Sequence, residues 1–140
     1  MNSKDFADFI CEMIFSKKGY DVKIIDLRKL ATFADYFIIC SADSDTQVKA
    51  IADEVDKKLR DLGIKCWHKE GFMALKWVIL DYVDVVVHIF KKDSREFYNL
   101  EKLWGDAEII EVEDPILKSG KETGEKKKTS KKKTTSAKKK

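Results

Sequence analysis

The chain has 140 residues, of which 44% are hydrophobic and 38% charged, with a net charge of +3. These values fit one globular domain with an ordinary core. No run approaches the roughly 18 apolar residues of a membrane span, and the N-terminus lacks an apolar leader segment. Cys11, Cys40 and Cys66 are odd in number, widely spaced and set in or beside apolar runs, which predicts buried free thiols and a cytoplasmic protein rather than a disulfide scaffold. The net charge averages two unlike regions. From Pro115 to Lys140 there are 11 Lys and 2 Glu, giving +9, and residues 1–114 carry −6.

In chain order, Phe6, Phe9, Ile10, Met13 and Ile14 repeat at helical spacing, with Ser3 as the expected N-cap and Gly19 as the stop. Val22 to Leu27 reads as a strand, and Tyr36 to Cys40 as a strand buried on both faces. Val48, Ile51, Ala52, Val55, Leu59 and Leu62 mark the clearest helix, capped by Ser44 or Asp45 and ended by Gly63. A short strand at Lys65–His68 would complete a parallel crossover. Lys76–Leu80 and Val85–Phe90 form a hairpin. Asp93 and Glu96 resemble a capping box opening a helix with Phe97, Leu100, Leu103 and Trp104 inward. Glu108 to Val112 is a final edge strand. The order predicts an α/β (α+β) domain, a mixed sheet flanked by helices, over residues 1–114. Residues 115–140 hold three apolar side chains, too few to offset the entropy of ordering, and form an expected disordered Lys-rich tail.

The hairpin carries most of the chemistry. Asp81, Asp84 and His88 are residue types that bind cations or move protons, but Asp also shapes turns and a histidine facing Val86 and Phe90 suits a hydrogen-bonded core. The turn and core reading is preferred. Asp43 and Asp45 resemble the paired carboxylates of nucleotidyltransferases, which hold metal ions on a nucleotide. Cys40-Ser41-Ala42 before them lacks the glycine such a site needs, and capping of the following helix explains them better. Cys66 and His68 share a strand face, again more simply by packing than as a nucleophile and base. Trp77, with Phe72, Met73 and Leu75 before it, forms either an exposed apolar patch for a partner or a cover for the sheet end. Trp104 is expected in the core. The tail lacks aromatic or Arg residues, so its contacts would be with phosphates and independent of sequence.

A longer pattern then becomes visible. Asp35-Tyr36-Phe37-Ile38-Ile39-Cys40-Ser41, Ile51-Ala52-Asp53, Glu70-Gly71, Trp77, Leu80-Asp81, Asp84-Val85-Val86-Val87-His88, Phe90, Arg95 and Tyr98-Asn99-Leu100-Glu101-Lys102-Leu103-Trp104 resemble, in order and spacing, the ribosomal silencing factor (Iojap-like) family. The match runs from about Phe6 to Asp106, leaving the tail outside.

The resemblance implies a nucleotidyltransferase-like fold without the catalytic acidic set, no enzymatic activity and no cofactor. It implies binding to the large ribosomal subunit through its protein fourteen, sterically blocking small-subunit joining and repressing translation in starvation or stationary phase. The implied contact residues are Trp77, Asp81, Tyr82, Asp84 and His88, with Tyr98 and Lys102 on the following helix. An acidic body complements a basic ribosomal surface, and the tail would lie on rRNA phosphates. Apolar residues near Trp77 also suit a homodimer off the ribosome. The competing readings are a metal-dependent nucleotidyltransferase using Asp43, Asp45 and Asp81, and a general RNA-binding protein acting through its tail. One departure stands out: the family often has Gly where this chain has Val83, and a β-branched residue tolerates positive φ poorly, so a turn of another type is expected there.

Overall fold

A computed structural model describes residues 2–115, and the expected tail from residue 116 onward lies outside the described residues. The elements are α1 (Ser3–Ser16), β1 (Tyr20–Asp26), β2 (Tyr36–Ala42), α2 (Asp45–Asp61), β3 (His68–Glu70), β4 (Trp77–Asp81), β5 (Val85–Lys91), α3 (Lys92–Tyr98), α4 (Leu100–Leu103) and β6 (Glu108–Val112). The six strands form one sheet in the order β3-β4-β5-β2-β1-β6. β2 and β5 pair in parallel, and the other neighbours are antiparallel. This is the predicted mixed sheet with helices on its faces.

β2 and β5 lie at the centre because their sequences are apolar in both phases. Every residue of β2 is buried, as is every residue of β5 before Lys91. Alternation sends Ile38 and Cys40 to one face and Phe37 and Ile39 to the other. α1 and α2 cover the first face with Ile10, Ile14, Ile51, Val55 and Leu59, all fully buried. Each such side chain contributes about 1.5–3 kcal/mol by leaving water.

Several local expectations are corrected. The α1 cap is Asn2, whose side chain accepts from the Asp5 N–H at 2.8 Å. Lys18, not Gly19, takes the left-handed conformation after α1 (φ 69°). Gly19 is needed for another reason, since a Cβ there would collide with the Ile14 side chain. Ser44 caps α2 through its bond from the Gln47 N–H at 3.1 Å, and Gly63 (φ 83°) ends it as expected. Leu62, expected inward, is exposed.

The strand expected at Lys65–His68 begins only at His68, and it pairs with β4 rather than next to β2. α2 and the β3–β4 segment therefore separate β2 from its parallel neighbour β5. α3 has no side-chain cap bond, so Asp93 and Glu96 build no capping box. Asn99 in the left-handed region (φ 47°) divides the expected single helix into α3 and α4. That break turns Phe97 and Leu103 outward while Leu100 stays buried and Trp104 half-buried.

Candidate partner-docking surface

The register of the β4–β5 hairpin sets the site. Trp77 lies opposite Phe90, Ile79 opposite His88 and Asp81 opposite Val86, so these six point to the face away from α1 and α2. The indole of Trp77 stacks on Phe90, with centroids 4.8 Å apart and 25° between planes. It also meets the Tyr98 ring of α3 at 4.8 Å, and Phe97 stands edge-on to Tyr98 at 5.0 Å. Trp77 is half-buried, whereas Phe97 is 81% exposed. The result is a graded aromatic surface, packed at its root and open at its rim.

His88 orients this surface from beneath. The Trp77 Nε1–H donates to His88 Nδ1 at 3.1 Å, which leaves the proton of a neutral imidazole on Nε2. His88 is 5% exposed, and burial pushes its pKa down to about 3. Its Nε2 is buried without a hydrogen-bond partner. Phe37 packs against the ring at 4.5 Å. An apolar, desolvated setting therefore keeps the imidazole neutral and fixes the rotamer of Trp77. His88, expected at the contact surface, lies below it and acts through Trp77.

The α3–α4 segment is held over the sheet by Arg95, which is buried. Its guanidinium donates to the Asp21 carbonyl at 2.6 Å and to Ser41 Oγ at 2.8 Å. It also makes a two-point contact with Glu101, at 3.3 and 3.0 Å, which Lys23 joins at 3.2 Å. Burial by itself would raise the Glu101 pKa, but the bonds and charges of Arg95 and Lys23 hold it below the usual range. Such bidentate pairs give orientation as well as attraction. Tyr98 is thereby placed against Trp77.

The hairpin turn places the remaining predicted residues. Asp81 Oδ1 accepts from the Val83 N–H at 2.8 Å, and the Asp84 N–H donates to the Tyr82 carbonyl at 2.9 Å. The latter bond closes a three-residue γ-turn about Val83, whose φ is 74°. The expectation of another turn type is thus corrected, because Val83 takes the left-handed conformation that glycine would take more easily. Asp84 and Val83 are exposed at the tip.

Tyr82, expected at the contact surface, is 7% exposed and points to the opposite face. Its hydroxyl donates to Asp56 of α2 at 3.2 Å, and Phe6 packs edge-on to it. Burial beside Cys66 and Asp56 raises its pKa. Asp81 and Asp84 thus mark the turn end of the hairpin and Trp77, with Tyr98 against it, the opposite end of β4; His88 lies beneath Trp77, Tyr82 lies on the α1/α2 side, and Lys102 is exposed on α4. Phe97 was missed as a surface residue because uninterrupted helical spacing turned it inward. The signal was Asn99, one of the few residue types besides glycine that take a left-handed break.

The carboxylates weighed as a metal site are engaged elsewhere. Asp43 accepts from the Tyr20 hydroxyl at 2.6 Å, Asp45 pairs with Lys91 at 3.1 Å, and Asp81 folds back on its own turn. Among the described residues no group of three or more metal-ligating side chains converges. Cys66 donates to the His68 carbonyl at 3.1 Å, while the His68 imidazole faces Glu70 at 2.7 Å. Burial raises the Cys66 pKa, so no thiolate–imidazole pair forms.

The family model described as ribosomal silencing factor during starvation matches residues 1–140. The ribosomal silencing factor RsfS of Bacillus subtilis is 42% identical over 113 residues, covering 81% of this chain and 96% of its own. The chloroplastic protein Iojap of Zea mays is 37% identical over 110 residues, covering 76% of this chain and 46% of its own. A crystal structure of a protein from Chromobacterium violaceum superposes with a TM-score of 0.73 at 34% identity, over 75% of this chain and 88% of that one. One from Bacillus halodurans gives 0.70 at 36% identity, over 78% and 99%. By sequence along its whole length and by fold, the chain belongs to the ribosomal silencing factor family.

Proposed function

We propose that this protein docks on the large ribosomal subunit, against its protein fourteen, and blocks joining of the small subunit by occupying the interface. Translation is thereby repressed in starvation or stationary phase. The observation that carries this reading is the aromatic surface of Trp77, Tyr98 and Phe97, on the same face of the sheet as Asp81 at the acidic hairpin tip. Aromatic side chains with a packed root lose little entropy on contact, which makes them strong interface residues. The −6 charge of residues 1–114 suits a basic ribosomal protein and disfavours bare nucleic acid. The mechanism needs affinity and bulk, with no chemistry and no cofactor. Its place of action is the cytoplasm, and no described helix is long and apolar enough to cross a membrane.

The test is sedimentation of purified subunits with the protein. It should migrate with the large subunit and deplete the joined particle. Tyr98→Ala removes an exposed ring and leaves the Trp77–His88 bond intact, so it should weaken binding by about 30-fold, the scale of a 2 kcal/mol hot spot. Wild-type co-migration of a folded Tyr98→Ala, Phe97→Ala double variant would remove this surface from the site. Deleting residues 115–140 should lower the salt dependence of binding if the tail lies on rRNA phosphates. A second copy seated on the same aromatic surface off the ribosome would appear as a dimer that large subunits dissociate.

A further inference from the structure

β6 stands at one end of the sheet. Among the described residues β1 is its one strand neighbour, so its outer side keeps the unpaired N–H and C=O groups of an edge strand. Residues 106–114 hold Asp106, Glu108, Glu111, Glu113 and Asp114 and no Lys or Arg, which is −5 of the −6 carried by residues 1–114. The first four of these carboxylates are exposed.

The cations nearest this edge in the sheet are committed elsewhere. Lys23 stands opposite Glu111 in the β1–β6 register, but its ammonium goes to Glu101 at 3.2 Å. Glu108 stands opposite Asp26, and Arg28 is bound to Asp26 at 2.8 Å. Neither glutamate has a cationic partner among the described residues. Alternation sends Ile109 to one core cluster and Ile110 with Val112 to the other, so Glu108 and Glu111 flank the strand on opposite faces. A partner resting on one face of the sheet meets one of the two. An extended basic segment lying along the edge meets both.

The chain itself supplies such a segment. Residues 116–140 begin four positions after Val112 and carry 11 Lys against 2 Glu, a charge of +9. The run Lys126-Lys127-Lys128 starts 14 positions after Val112, enough chain to reach about 45–50 Å, whereas a strand of five residues is about 17 Å long. Single exposed Lys–Glu pairs are weak and screened by salt. A covalent tether holds the lysines at an effective concentration on the order of millimolar, so several weak pairs act together.

We propose that residues 116–140 dock along the outer edge of β6, on Asp106, Glu108, Glu111 and Glu113. The acidic edge then competes with RNA phosphates for the same lysines. It covers the open edge against foreign strands and holds the tail off non-specific RNA until a denser array of phosphates displaces it. The contact does not depend on the aromatic surface or on its partner.

The test is zero-length carbodiimide cross-linking of the full-length protein, with isotopically labelled and unlabelled chains mixed and the products mapped by mass spectrometry. Links from Lys118–Lys140 should concentrate on Glu108, Glu111 and Glu113, join residues of one chain, and fade at about 1 M salt, where the screening length is about 3 Å. Glu108→Gln with Glu111→Gln should raise low-salt affinity for a fluorescently labelled oligouridylate by about threefold, by removing the tethered competitor. The same loss of charge on α1, Asp5→Asn with Glu12→Gln at exposed positions, should raise it far less. Links spread evenly over the exposed carboxylates, links mainly between differently labelled chains, or equal gains from the two double variants would each overturn the proposal. The wild-type link map decides the matter if either double variant does not fold.

Discussion

The two faces of the sheet are built from alternate residues of the same strands, yet they differ in kind. The face under α1 and α2 is mainly aliphatic, with Ile24, Ile38, Val87 and Ile89 meeting two helices of 14 and 17 residues. The other face adds the rings of Phe37, Trp77, Phe90 and Trp104 to aliphatic side chains such as Ile25, Ile39 and Val86, and its helices have only 7 and 4 residues. A long helix on an aliphatic layer closes it, whereas a broken short one leaves an edge open. The open face also holds the buried unpartnered nitrogen of His88. The proposed function places recognition on this open face and leaves stability to the closed one, as expected when a binding site tolerates local costs that the rest of the fold offsets.

The largest expected effect tests this division directly. Ile38→Ala removes a fully buried side chain from the closed face and should cost about 3–4 kcal/mol in denaturant unfolding. Phe97→Ala on the open face should change stability by less than about 0.5 kcal/mol, as for exposed positions generally. Comparable losses from both substitutions would mean that the open face is structural.

A smaller effect comes from His88 and depends on pH. Its folded pKa is about 3, below the roughly 6.5 of an unfolded histidine. Between those values the unfolded chain binds the extra proton, so stability is full above about pH 6.5 and falls as the pH drops. The loss between pH 7 and pH 5 should be about 2 kcal/mol, read from unfolding curves in that window. The depressed carboxyl of Glu101 adds a loss of the same sign only at lower pH, near the ordinary range of carboxylates. His88→Gln should flatten the slope between pH 7 and pH 5. An unaltered slope would show that the imidazole is not held neutral against Trp77.

Both faces were partly legible in the sequence, for different reasons. The apolar run Tyr36–Cys40 and the spacing from Val48 to Leu59 each satisfy one period strongly, so β2 and α2 emerged with little ambiguity. Trp77 and Tyr98 were found through the family pattern, because the residues alone left Trp77 undecided between patch and cover. The side of Tyr82 was not legible, since a turn residue obeys no alternation, whereas alternation put His88 with Val86 and Phe90, where it is buried and bonded to Trp77. Helical continuity through Asn99 misplaced Phe97 and Leu103, where one left-handed residue changed which face was buried.

The smallest expected effect lies at Val83, where the two faces meet in the hairpin turn. A left-handed L-residue costs about 1–2 kcal/mol, and Val83, at φ 74° and exposed, recovers little of that by burial. Glycine removes the steric cost but loses about 0.5–1 kcal/mol in backbone entropy. Val83→Gly should therefore stabilise the fold by about 0.5 kcal/mol net, measured as a small rise in the denaturation midpoint. The bonds from Val83 N–H to Asp81 and from Asp84 N–H to Tyr82 are main-chain donations and survive the change. Large-subunit affinity should then stay at its wild-type value. A loss of affinity in a protein made more stable would show that the stiffness of the β-branched residue, and not merely the turn geometry, presents Asp81 and Asp84 to the partner.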